Sequence, residues 1–234
     1  MRRNTALALA AAVVCLAGPR AGRAQQDGSR AVAGGGIAVP EWKGKVDEQE
    51  ARRGRTLNDS KLAQEGDALH VTTGPAVIYW NPANKATGSY TVKATFREPK
   101  YMNLNDHPHP YGVFIAGNEL DSDQPTLLYC ATYGSGTVIV RGFSPRPFQM
   151  NGRMGESSPA VHKAAGPGQP VTQEIALSVK GDKVECAVNG TVVASYDKSA
   201  LVTAGKLKST DGVYGIRFAH NTEGLVTGLT LTKP

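Results

Sequence analysis

The sequence predicts an all-β fold, a two-sheet antiparallel β-sandwich, and three observations carry that expectation. Period-two alternation rich in β-branched and aromatic residues recurs at short intervals from residue 68 onward. Gly, Pro, Asn and Asp separate these runs, and helical periodicity is almost absent. The length after the first two dozen residues, roughly 200, suits one sandwich around one core.

Taken in order, the chain opens with Arg2 and Arg3, an apolar stretch from Ala6 to Ala17, Gly18-Pro19, and a polar exit ending Ala21-Gly22-Arg23-Ala24. Residues 1–24 therefore read as a secretory signal peptide cleaved before Gln25. An apolar run of about a dozen residues is shorter than the roughly 20 that a spanning helix needs. The expectation is a secreted or periplasmic protein with no membrane insertion of the mature chain. Val13-Val14 before Cys15 do not supply the small residue of a lipoprotein site. The formal net charge of +6 falls to +2 once Arg2, Arg3, Arg20 and Arg23 leave with the signal, which argues against a nucleic-acid partner.

Residues 25–40, mostly Gly, Ala, Ser and Arg, bury too little apolar surface to offset ordering entropy and read as a flexible linker. The sandwich domain is expected over residues 41–234, with Trp42 and Val46 as anchors and one or two helical turns over Asp47–Arg53. Eleven strands are expected: 68–72, 76–80, 90–97, 112–116, 126–133, 137–143, 171–180, 183–189, 191–196, 212–219 and 225–232. Gly181-Asp182 and Asn189-Gly190 have the chemistry of two-residue hairpin turns, so the three strands they join should form a meander. Alternation places Val184, Cys186 and Val188 in the core, together with Tyr214, Ile216 and Phe218, and puts Arg217 on the opposite, solvent-facing side. Cys130 and Cys186 are either a disulfide, which export permits, or two buried thiols. Ser144 to Pro170 reads as a long Pro- and Gly-rich loop, a functional lid or a disordered insertion.

The C-terminal third carries a family pattern. Its residues are Ile175-Ala176-Leu177-Ser178-Val179-Lys180-Gly181, Val184 to Gly190, Gly212-Val213-Tyr214-Gly215-Ile216-Arg217 and the closing strand Leu225–Leu231. Upstream, Tyr111 to Gly117 and Tyr129 to Phe143 take the place of middle strands. Together they resemble the concanavalin A-like (laminin-G-like) jelly-roll superfamily over most of residues 40–234. The resemblance implies a jelly roll and, more loosely, a role on glycans, because the superfamily holds sugar-binding modules, glucanases, polysaccharide lyases and 3-keto-disaccharide hydrolase-type domains. The Glu-x-Asp-x-x-Glu motif of the retaining glucanases does not occur, and Tyr111-Gly112-Val113-Phe114-Ile115 stands where the hydrolase-type domains have Asn-Ser-Gly-Ile.

Several sets of residues could carry chemistry. Tyr129 and Tyr133 share one face of their strand and Arg141 lies on the next strand, so aromatic rings and a guanidinium could form a sugar platform. Asn105, His107 and His109 concentrate polar groups before the Gly112 strand. The two histidines point the same way in an extended segment and could ligate a metal, with Asp106 as third ligand or orienting partner. Glu119, Asp121 and Asp123 offer hard oxygen ligands suited to calcium, although their spacing is not that of the twelve-residue calcium loop. Glycoside hydrolysis would draw two carboxylates from Glu119, Asp121, Asp123 and Glu174, and His162 or His220 could act as a base, each lacking a recognisable motif. The expected partner is a glycan, bound by a non-catalytic module or, in the alternative, cleaved by a secreted hydrolase.

Overall fold

A computed structural model describes residues 28–144 and 146–234; the expected signal peptide lies outside the described residues. Sixteen strands follow one another: β1 (Gly36–Ile37), β2 (Lys43–Val46), β3 (Ser60–Glu65), β4 (Ala68–Thr73), β5 (Val77–Ala86), β6 (Tyr90–Glu98), β7 (Tyr111–Asn118) and β8 (Thr126–Tyr133). Then come β9 (Thr137–Ser144), β10 (Arg146–Gln149), β11 (Glu156–Ser157), β12 (Val171–Lys180), β13 (Lys183–Val188), β14 (Thr191–Asp197), β15 (Gly212–Phe218) and β16 (Glu223–Thr232). Two single-turn α-helices, α1 (Glu48–Ala51) and α2 (Lys198–Leu201), and one 3-10 turn over Leu57–Asp59 complete the set. The first sheet runs β1-β3-β4-β16-β6-β12-β13-β14; the second runs β10-β9-β8-β7-β15-β5-β2, with β11 also on β9. All pairings are antiparallel except β1 with β3.

The expected meander is there: β12 pairs β13 from Ile175–Val188 to Lys180–Lys183, and β13 pairs β14. Asn189 (φ 49°) and Gly190 (φ 80°) both take the left-handed conformation that the tight primed turn requires, which is why Asn-Gly marks it. Val184, Cys186, Val188, Tyr214, Ile216 and Phe218 all face the intersheet core as alternation predicts. Phe96, Tyr111 and Phe218 pack there with ring centroids 5.7–5.9 Å apart. Each such buried side chain contributes about 1.5–3 kcal/mol relative to leaving it in water. Cys130 of β8 and Cys186 of β13 are disulfide-bonded with Cα atoms 6.0 Å apart, tying one sheet to the other through the core.

Three expectations are corrected. Residues 28–40, expected as a flexible linker, dock on the sandwich: β1 pairs β3, and the Arg30 N–H donates to Asn221 Oδ1 at 2.8 Å. Backbone pairing and a side-chain anchor supply what apolar composition does not. The segment from Ser144 to Pro170 is not structureless, since β10 and β11 both pair with β9 and Ser135 bridges to Lys163. Arg217 does lie on the face opposite Ile216, but it is only 7% exposed rather than solvent-facing. The outer face of the second sheet carries its own apolar layer, Ile78, Trp80, Phe114, Leu127, Tyr129 and Ile139, with Leu120 packed over it.

Candidate functional site: the outer face of the second sheet and a histidine cluster beside it

The outer face is built in rows fixed by register. One row runs Ile78–Arg217–Gly112–Ala131–Ile139, and its neighbour runs Trp80–Gly215–Phe114–Tyr129–Arg141–Gln149. Directly opposed residues on antiparallel strands share a face, so the expected grouping of Tyr129, Tyr133 and Arg141 is present. Gly112 and Ala131 flank Arg217 on this row, Gly112 because β8 comes so close that a Cβ would sit 1.9 Å from the Cys130 carbonyl oxygen. The guanidinium reaches over to 5.5 Å from the centroids of both Tyr129 and Phe143. It also donates two hydrogen bonds, each 2.6 Å, to the two carboxylate oxygens of Asp47 just before α1. Burial alone would lower the arginine pKa; the Asp47 carboxylate more than offsets this and holds it charged. Burial pushes the Tyr129 and Tyr133 phenols above their ordinary range, so both stay neutral and can donate as well as accept hydrogen bonds.

Access differs along the face. Tyr129 is buried and serves as a wall for Arg217, while Tyr133, Thr137, Arg141 and Phe143 are half-buried. Arg141 Nη2 donates to the Arg153 carbonyl at 2.5 Å, which brings the loop after β10 to the rim. Gly155 lies against Ile139 there, so closely that a Cβ would sit 2.7 Å from the Ile139 side chain. On the other side Lys43 Nζ pairs with Asp121 at 2.8 Å and Lys45 donates to the Ser122 carbonyl, closing the 119–123 turn down on β2. The face is therefore a walled strip with Tyr133 and Arg141 at its accessible part. A second concavity of about 340 Å³ lies where Trp42, Gln64, Asp67, Asn81 and Asn84 meet.

The His107 loop forms a separate group. His107 Nε2 lies 2.7 Å from His109 Nε2, and the His109 and His220 ring centroids are 4.0 Å apart. His220 comes from the turn joining β15 to β16, and sequence reasoning treated it as a lone histidine. The antiparallel pairing of β15 with β7, Phe218 opposite Tyr111 and the Ala219 N–H on the Pro110 carbonyl, puts that turn next to the loop before β7. Asn105 donates from Nδ2 to the Asn221 carbonyl at 2.5 Å, and so staples this loop to the same turn rather than facing a ligand on the sheet.

A narrow cavity beside the histidines is lined by Glu98, Asn105, His107, His109, Asn221 and Glu223. Burial raises the Glu98 carboxyl to about 7, outweighing the hydrogen bond that the Met102 N–H donates at 3.2 Å. Sequence reasoning missed this residue. Its signal was present: Tyr90, Val92, Ala94 and Phe96 are the inward set of β6, and Glu98 continues their alternation.

The expected acidic candidates do not converge. Glu119 pairs with Lys208 at 2.5 Å, Asp121 with Lys43 at 2.8 Å and Glu174 with Lys93 at 2.9 Å, while Asp123 is exposed. His162 lies away from both groups, its Nδ1 2.9 Å from the Thr172 carbonyl.

No family model matches the chain, and no curated protein matches it. Among solved structures, the carbohydrate binding module CBM66 from Bacillus subtilis superposes with a TM-score of 0.54 at 7% identity, over 85% of this chain and 99% of the other. A protein of unknown function with a galectin-like fold, also from Bacillus subtilis, gives 0.51 at 10% identity, over 83% and 90%. These likenesses establish a shared jelly-roll sandwich.

Proposed function

We propose that this jelly-roll chain is a non-catalytic carbohydrate-binding module working outside the cytoplasm, and that it holds sugar on the outer face of the second sheet at Tyr133 and Arg141. The observation that carries the reading is the composition of that face. An exposed sheet face ordinarily alternates small polar and charged residues, whereas this one presents a half-buried tyrosine and arginine on a floor of Tyr129, Phe143 and an immobilised guanidinium. Aromatic area suits the C–H face of a pyranose, and a fixed donor orients its hydroxyls. Likeness to a carbohydrate-binding module is in keeping with this reading. The signal-like N-terminus of the sequence supports an extracytoplasmic site of action.

Hydrolysis is less well supported, because Glu119, Asp121 and Glu174 are each engaged with a lysine. The deciding experiment screens the protein on a glycan array and then analyses every retained sugar for cleavage. Retention of intact sugar, reduced at least about tenfold by Tyr133→Ala in a variant of unchanged fold, supports the module, on the footing that losing one aromatic contact costs on the order of 1.4 kcal/mol or more. Shortened or oxidised products would support the hydrolase. Undiminished retention by Tyr133→Ala would remove this face from the account.

A further inference from the structure

From the three imidazoles at the β15–β16 turn we infer a binding site for a divalent transition-metal cation of the zinc class, with His107, His109 and His220 as its ligands. The nitrogen donors of these three residues all lie within 4.8 Å of one another, and they form the group of this kind among the described residues. They come from two segments far apart in sequence, the loop before β7 and the turn after β15. Their convergence is a product of the fold and not of local sequence.

Hydrogen bonding on the far side of two rings determines where their lone pairs point. His109 Nδ1 is 2.5 Å from the His220 backbone carbonyl, which can only accept and lies closer than the Asn105 Nδ2 at 3.0 Å, so that nitrogen carries the proton. His107 Nδ1 is 2.6 Å from the Asp106 carboxylate. A carboxylate oxygen can only accept, so this nitrogen too carries the proton. With both rings neutral each Nε2 carries a lone pair, and the two face each other at 2.7 Å. A shared proton bridges that separation when no metal is bound, and a metal at about 2.0–2.1 Å from each nitrogen takes its place as the rings open slightly.

A carboxylate or a carbonyl on the outer nitrogen is also how metal-bound histidines are ordinarily oriented, since it fixes the tautomer and raises the basicity of the inner nitrogen. The site supplies both, and His220 provides a ring and, through its own carbonyl, the clamp on His109. Three neutral nitrogen donors select zinc, cobalt, nickel or copper over calcium, which requires oxygen ligands. His107 is exposed while His109 is buried, so one side of the cluster stays open for a further ligand from solvent. The acidic turn at 119–123 takes no part.

The test uses the tag-free chain, stripped with EDTA and dialysed, titrated with Co(II) and then displaced with Zn(II). The expected result is one equivalent of cobalt per chain with the visible bands of a nitrogen-ligated ion of low coordination number, displaced by zinc and unaffected by excess calcium. His107→Ala, at an exposed position, should weaken binding at least about a hundredfold while leaving the circular dichroism unchanged. Asp106→Asn should weaken it about 10- to 100-fold by releasing the outer nitrogen of His107. Absence of stoichiometric cobalt or zinc binding would overturn the inference and leave a proton shared between the rings. Binding that survives His107→Ala and His220→Gln together would also overturn it, by placing the ion elsewhere.

Discussion

Glu98→Gln isolates the cost of burying a carboxyl at the end of β6. In the folded chain burial raises this acid to about 7 from an ordinary 4.5, even though the Met102 N–H donates to it. A raised acid binds more protons folded than unfolded across that window. Its stabilising contribution is therefore complete below pH 4.5 and is lost as pH rises through 7. The rise from 4.5 to about 7, at about 1.4 kcal/mol per pH unit, corresponds to about 3 kcal/mol of stability lost between pH 4.5 and 7.5. Glutamine keeps the acceptor for Met102 and cannot ionise, so the variant should not show this loss. Urea denaturation of parent and variant at pH 5, 6, 7 and 8, with EDTA present, reads the difference directly. The gap should widen in favour of Glu98→Gln as pH rises, reaching about 3 kcal/mol, or roughly 6–12 °C in Tm for a domain of this size. Other titrating groups cancel in the comparison. Parallel pH profiles for the two proteins would refute the reasoning, because they would mean that Glu98 ionises as easily folded as unfolded.

Two further perturbations probe what fixes the outer face and the core. Arg217→Met leaves the Asp47 carboxylate without its partner and should cost about 3–5 kcal/mol in urea denaturation, while Arg217→Met combined with Asp47→Leu should recover most of it. An equal loss in the double variant would show that packing rather than charge pairing is being measured. Cys130→Ala with Cys186→Ala opens a link spanning 56 residues and should lower stability by about 4 kcal/mol from loop-closure entropy. A loss below about 1 kcal/mol would mean that the unfolded chain is already constrained without the bond.

Legibility in the sequence followed how strongly burial imposes a pattern. The β12–β14 meander was readable because each strand buries alternate residues and the Asn189-Gly190 turn needs two left-handed residues in succession. Strands β2 and β3 were not, since Lys43-Gly44-Lys45 at the sheet edge and Lys61 and Gln64 on β3 dilute the apolar alternation. β5 was expected to stop at Trp80 because Asn81-Pro82 follow. Instead Trp80 pairs with Gly215 and Lys85 with Val213, so residues 81–84 bulge from the ladder and Pro82 forfeits no pairing there. The outward direction of Arg217 was correct and its exposure was not, because strand period says which face a residue takes and nothing about what covers that face. Similarly, Tyr133 and Arg141 could be placed on one face from spacing alone. The approach of His220 to His107 depends on a turn contributed more than a hundred residues later.

The claim that sugar lies on the outer face of the second sheet is tested most directly by amide NMR on the isotopically labelled chain, titrated with the glycan it retains. The account predicts perturbations centred on Tyr133, Thr137, Arg141 and Phe143, and their loss in Tyr133→Ala. Perturbations centred on Trp42, Asn81 and Asn84, or on residues 103–109 and 219–222, with the outer face unchanged, would contradict it.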